Sequence, residues 1–140
     1  MSEVEPSFDG CFKIPSWWTE PRFGISEIAE FLSVPISTIH KWIELARATG
    51  ITVGDTSLRR PLYSPHHVYA LALLAKLHAV RIHVSAKIIQ AAFEFTGIEP
   101  RPVTHDALWQ VVDEDGAVLL VQAWLAFSAV RQLSLKPQYV

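Results

Sequence analysis

The chain has 140 residues, half of them hydrophobic, with 12 basic and 14 acidic side chains for a net charge of −2. That length gives one domain, or one domain with an appendage, and the apolar content supports a real core and excludes disorder except at the start. Global charge carries no signal for nucleic acid, and the single cysteine, Cys11, excludes a disulfide framework and suits a reduced, cytoplasmic setting.

The opening "MSEVEPSFDG" is acidic and has no apolar centre, so it does not read as a signal peptide. Residues 1–23 read as an extended aromatic arm. In "PSWWTEPRF", prolines flank Trp17 and Trp18, and the tryptophans are expected to dock on the core or on a partner chain. "ISEIAEFLSV" carries apolar residues at Ile25, Ile28, Ala29, Phe31 and Leu32, close to helical spacing. Ser33, Val34 and Pro35 interrupt it. A second helix follows in "ISTIHKWIELARATG", with Ile36, Ile39, Trp42, Ile43 and Ala46 inward and Gly50 as a stop. Two short helices across a tight turn form the helix-turn-helix pattern. The outward face of the second helix then shows Ser37, Thr38, His40, Lys41 and Glu44.

"ITVGDTSLRRPLYS" reads as a hairpin or wing, with a strand at Ile51 and Val53, a turn at Gly54-Asp55, and a return from Leu58 to Tyr63. Arg59 and Arg60 fall near its tip. In "SPHHVYALALLAKLHAVR" Ser64 can cap a helix and Pro65 suits its first position. Ser85 repeats that arrangement ahead of "AKIIQAAFEF". Residues 97–104 contain Gly97, Pro100 and Pro102 and read as a linker to an appendage over 105–140. There, Asp113-Glu114-Asp115-Gly116 is a turn between valine-rich runs, a hairpin signal, with a strand to about Gln122 and a helix after it. The longest apolar run, "AVLLVQAWLAFSAV", is broken by Gln122 and Ser128 and reads as core rather than a membrane span.

Charge is unevenly spread. From Ile25 to Ile82 six basic residues face four acidic ones, a net +2, whereas the remainder has six basic and ten acidic, a net −4. A basic centre between acidic flanks is the sign pattern of a DNA-binding module. A helix entering a major groove needs short polar side chains near its start with cations beside them. Ser37, Thr38, His40 and Lys41 supply these, and Arg59 and Arg60 would add phosphate or minor-groove contacts.

The order of elements, with "TIHKWIE" (Thr38 to Glu44) and "RRPLYSPHHV" (Arg59 to Val68), resembles the MerR-type winged helix-turn-helix over roughly residues 24–96. The resemblance implies a mainly α fold, a winged helix-turn-helix with a small C-terminal β-hairpin and helix as appendage. It implies that Thr38, His40 and Lys41 lie at the DNA face. It makes Trp42 a core or hinge aromatic, has Arg60 contact the DNA backbone from the wing, and sets Tyr63 beside it near a phosphate. The sequence departs from the family at Ser37 and His40, where basic residues are usual, at Ser33, where glycine is usual, and at Pro61, an extra residue between arginine and tyrosine. The family's long dimerisation helix and terminal metal-sensing loop have no counterpart. A dimer would therefore use the appendage, through Trp109, Val111, Leu119, Val121 and Trp124, or the aromatic arm.

The resulting expectation is a sequence-specific, double-stranded-DNA-binding transcriptional regulator acting as a homodimer. The alternatives are a MerR-like antitoxin of the VapB kind that binds DNA and a toxin, an excisionase-like or phage DNA-binding protein, and a pure protein-interaction module. The histidine spacings, with His66 beside His67 and His78 five before His83, do not stack two imidazoles on one helical face, so no metal is expected. No phosphate loop, nucleophile elbow or catalytic pair is present, so neither catalysis nor a cofactor is expected.

Overall fold

The computed structural model describes residues 11–12, 14–54, 60–97, 100 and 102–135. In chain order these form β1 (Cys11–Phe12), α1 (Ile25–Leu32), α2 (Ile36–Ala48), α3 (Pro65–Ala79), α4 (Ala86–Thr96), β2 (Val103–Thr104), β3 (Leu108–Val112), β4 (Val118–Gln122) and α5 (Ala123–Leu135). The described fold is α-rich, with two small antiparallel sheets pairing β1 with β2 and β3 with β4.

Helix α3 is apolar on nearly every side, and a helix of that kind must be covered all round. Val68, Ala70, Leu71, Leu73, Leu74 and Leu77 are all buried along it. Its start follows from local chemistry: the Ser64 hydroxyl accepts from the His67 N–H at 3.3 Å, and Pro65 occupies a first-turn position that needs no donor. The Ser85 hydroxyl caps α4 in the same way, accepting from the Ile88 N–H at 3.3 Å. Helices α4 and α5 pack on α3, and α2 packs on α4.

The arm supplies another part of the cover. Trp18 is buried against Phe127 of α5, with ring centroids 4.9 Å apart, and against Tyr69 of α3 at 6.3 Å. Trp17 is half-buried beneath the Arg22 guanidinium, 4.9 Å from the ring centre. One continuous buried cluster therefore runs from Trp18 through α1 to α4 and into the hairpin and α5.

Between α1 and α2 the chain turns through Ser33, Val34 and Pro35. Ser33 takes the left-handed conformation, φ 56° and ψ 43°, which costs an L-residue roughly 1–2 kcal/mol. The turn persists because Val34 is buried and its N–H reaches the Ala29 carbonyl at 3.1 Å. Beyond α2, the expected strand at Ile51 and Val53 does not form. The Val53 carbonyl is taken by the Arg47 guanidinium, at 2.8 Å from Nη2 and 3.2 Å from Nε, so it is not available to a strand partner. The returning limb pairs elsewhere: Tyr63 bridges antiparallel to Phe23, with the Tyr63 N–H donating to the Phe23 carbonyl at 2.8 Å and the Phe23 N–H to Tyr63 at 3.0 Å. The expected turn residues 55–59, Arg59 among them, lie outside the described residues.

Gly54 sits at φ +81°, and a Cβ there would lie 2.5 Å from Tyr63 Cε1. Gly54→Ala is therefore expected to destabilise by about 2–3 kcal/mol, from positive φ and ring overlap together. Ser33→Gly is expected to stabilise by about 0.5–1 kcal/mol, since glycine's added chain entropy cancels only part of the relieved strain. Urea denaturation followed by circular dichroism reads both signs.

Candidate functional site

Helix α2 divides its side chains as its spacing requires. Ile39, Trp42, Ile43 and Ala46 are buried, whereas Ser37, His40, Lys41 and Glu44 are exposed and Thr38 is half-buried. The buried row holds the helix in place, and Trp42 also meets His78 at the end of α3 edge-on, 5.8 Å between centroids. Pro35 stands at the N-cap, and its carbonyl accepts from the Thr38 and Ile39 amides at 3.0 and 3.1 Å. No side chain caps the first turn and no acidic residue occupies it. The positive dipole end of α2, with the Ile36 and Ser37 amides, is thus left for an anion.

Lys41 and Arg60 have no ion-pair partner among the described residues. The ion pair among the described residues joins Arg22 to Glu20 at 3.4 Å and involves neither of them. Arg60 is exposed at the edge of segment 55–59. Both ends of that segment are anchored near α2: the leading end by Arg47 on the Val53 carbonyl, the trailing end by Tyr63, whose ring lies over Gly54. Arg47 is the residue that sequence reasoning missed. Its signal, a basic residue near the C-terminus of a helix followed by an apolar segment, is too common to single out.

Tyr63 is not where the resemblance sets it. It is 3 % exposed, with its ring in the core and its backbone bridged to Phe23, so it holds the loop rather than meeting a phosphate. Trp109, Val111 and Val121 are buried in the chain's own core, and Leu119 and Trp124 are half-buried against it. The Trp109 ring is buried on the inner face of β3, 6.4 Å from that of Phe95 on α4.

His66 and His67 sit at the start of α3 with ring centroids 5.8 Å apart. His66 Nε2 lies 2.8 Å from the Gly97 carbonyl, so that nitrogen carries the proton and donates. His67 packs on Phe93, and its Nδ1 is buried without a hydrogen-bond partner among the described residues. Among the described residues no group of three histidine, cysteine or carboxylate side chains could hold a metal, and no helix is long and apolar enough to cross a membrane. No protein-family model, curated protein or solved structure matches the chain.

Burial, aided by the neighbouring His66, lowers the His67 pKa from 6.5 to about 4. The folded state therefore resists a proton that the unfolded chain accepts below pH 6.5. Stability from the neutral ring is complete above 6.5 and falls as pH drops toward 4. The full shift corresponds to about 3 kcal/mol, and the partly exposed ring reduces this to about 2 kcal/mol. His67→Phe is expected to remove that part of the acid destabilisation, seen as a smaller fall in unfolding free energy between neutral and acid pH than in the parent chain.

Proposed function

We propose that the protein is a sequence-specific DNA-binding transcriptional regulator of the winged helix-turn-helix, MerR-like type that acts as a cytoplasmic homodimer. The observation that carries this reading is the exposed face of α2. It presents Ser37, Thr38, His40 and Lys41, which has no ion-pair partner among the described residues, on a helix whose opposite side is locked into the core and whose N-terminus carries no acid or cap.

In this reading α2 enters a major groove. The Ser37 and Thr38 hydroxyls and the Ile36 and Ser37 amides meet phosphate or thymine methyl groups, and His40 reaches a base edge. Lys41 neutralises a phosphate and takes a larger share of the contact than its counterparts in proteins with more arginines at this face. Arg60 adds a second phosphate contact from the segment that Arg47 and Tyr63 anchor. Two such helices related by a twofold axis would read half-sites one helical turn, or a multiple of it, apart.

A mobility shift on the DNA upstream of the protein's own gene checks the proposal. Binding is expected to weaken as salt rises. Lys41→Ala and Arg60→Ala, both at exposed positions, are each expected to lower affinity and reduce the salt slope by about one unit. Absence of any shift at low salt, on this or random-sequence fragments, would overturn it.

A further inference from the structure

The hairpin leaves an apolar edge uncovered. Six large hydrophobic side chains gather on this side at 47–62 % exposure: Val80, Leu108, Val112, Val118, Leu120 and Leu125. Four of them, with Lys76 and Leu77, line a groove of about 610 Å³ that runs beside β4 to the end of α3.

The backbone of β4 points into the same space. At the two ends of the hairpin the Asp113 N–H donates to Ala117 at 2.9 Å and the Ala123 N–H to Ala107 at 3.0 Å. Hydrogen-bonded pairs in an antiparallel ladder recur at every second residue, so Trp109 with Val121 and Val111 with Leu119 are bonded pairs in the observed register. Val118 and Leu120 therefore direct their N–H and C=O groups away from β3, and Gln122 its N–H, while the Gln122 carbonyl also opens the first turn of α5. Sheet β3–β4 has no third strand among the described residues. Natural edges of this kind are blunted by lysine, proline or a bulge, and "VLLVQ" has none of them.

We infer that a second copy of this chain pairs its β4 antiparallel with β4 about a twofold axis at Leu120, making one four-stranded sheet. Leu120 then faces its own copy, and Val118 faces Gln122 of the copy, so each outward N–H and C=O on these residues is satisfied. Charge selects a copy of the same chain as the occupant. The turn carries Asp113, Glu114 and Asp115 beside the chain's own Arg81 and His83, three carboxylates against one arginine, so that end of the hairpin stays net negative, and Lys76 lines the groove with Leu108 and Gln122. The twofold brings the acidic turn of each copy to the lysine end of the other. This specifies the dimer that the DNA-binding reading calls for, and rests on that reading only for a chain that works as a pair.

Sedimentation equilibrium of the full chain without DNA tests it. The parent chain is expected to be a dimer at micromolar concentration. Leu120→Pro removes an outward N–H that the hairpin itself does not use, and is expected to raise the dissociation constant about 100-fold or more. Gln110→Pro makes the matching change on the opposite edge and is expected to leave the dimer intact. Lys76→Glu and Glu114→Lys are each expected to weaken the dimer about tenfold, and an equal mixture of the two to restore it, because both cross-axis contacts are then attractive. Circular dichroism confirms folding, and if Leu120→Pro does not fold, the mixture decides. A monomeric parent chain, a folded Leu120→Pro that stays dimeric, or a mixture no tighter than its components would each overturn the inference. None of these would touch DNA binding by α2, since a monomer can still shift DNA, although a monomeric parent chain would also remove the homodimer from the proposed function.

Discussion

Everything described in this fold depends on hiding α3. A helix that carries leucines and alanines around its circumference cannot rest against one neighbour, because each leucine left in water forfeits about 1.5–3 kcal/mol. The chain therefore recruits cover from distant parts: α4 and α5 on its sides, and Trp18 from the arm wedged against Tyr69 and Phe127. The arm and the C-terminal segment share this core, and the positions of the remaining elements follow from it.

Helix α2 inherits its rigidity from that core. Its apolar row is buried and Trp42 is set against the end of α3, so the polar row is presented outward on a fixed axis. The following loop is held by two unlike devices. Arg47 places a cation on the Val53 carbonyl, and Tyr63 uses its backbone on Phe23 and its ring on Gly54. Tyr63, which a motif comparison would send to a phosphate, is thus used for scaffolding, and Lys41 and Arg60 are without an ion-pair partner among the described residues.

The hairpin has two apolar faces and only one can be buried. Trp109, Val111 and Val121 face inward, leaving Leu108, Val112, Val118 and Leu120 outside with a backbone edge that pairs with no strand among the described residues. A strand pair of this composition is stable on the molecule because its inner face is part of the core. Its outer edge keeps the hydrogen-bonding capacity and apolar surface that a partner strand needs.

Much of this was legible in the chain. The spacing of Ile39, Trp42, Ile43 and Ala46 predicts both the helix and its inward face, since a 3.6-residue period leaves one buried stripe. Ser64-Pro65 and Ser85 mark helix starts through local hydrogen bonds, and Asp113 to Gly116 marks a turn for the same reason. These features depend on neighbours a few residues away. Tyr63 and Trp109 were not legible, because their surroundings come from residues far along the chain. Which face of "LWQVV" and "VLLVQ" turns inward is a question of parity, and both parities are apolar at most positions. The sequence by itself determined the helices, their caps and the polar face of α2. Only the tertiary structure decided that Tyr63 belongs to the core, that Val53 meets Arg47 instead of a strand, and that Leu120 rather than Val121 faces out, because each depends on partners far along the chain that come together only in the assembled core.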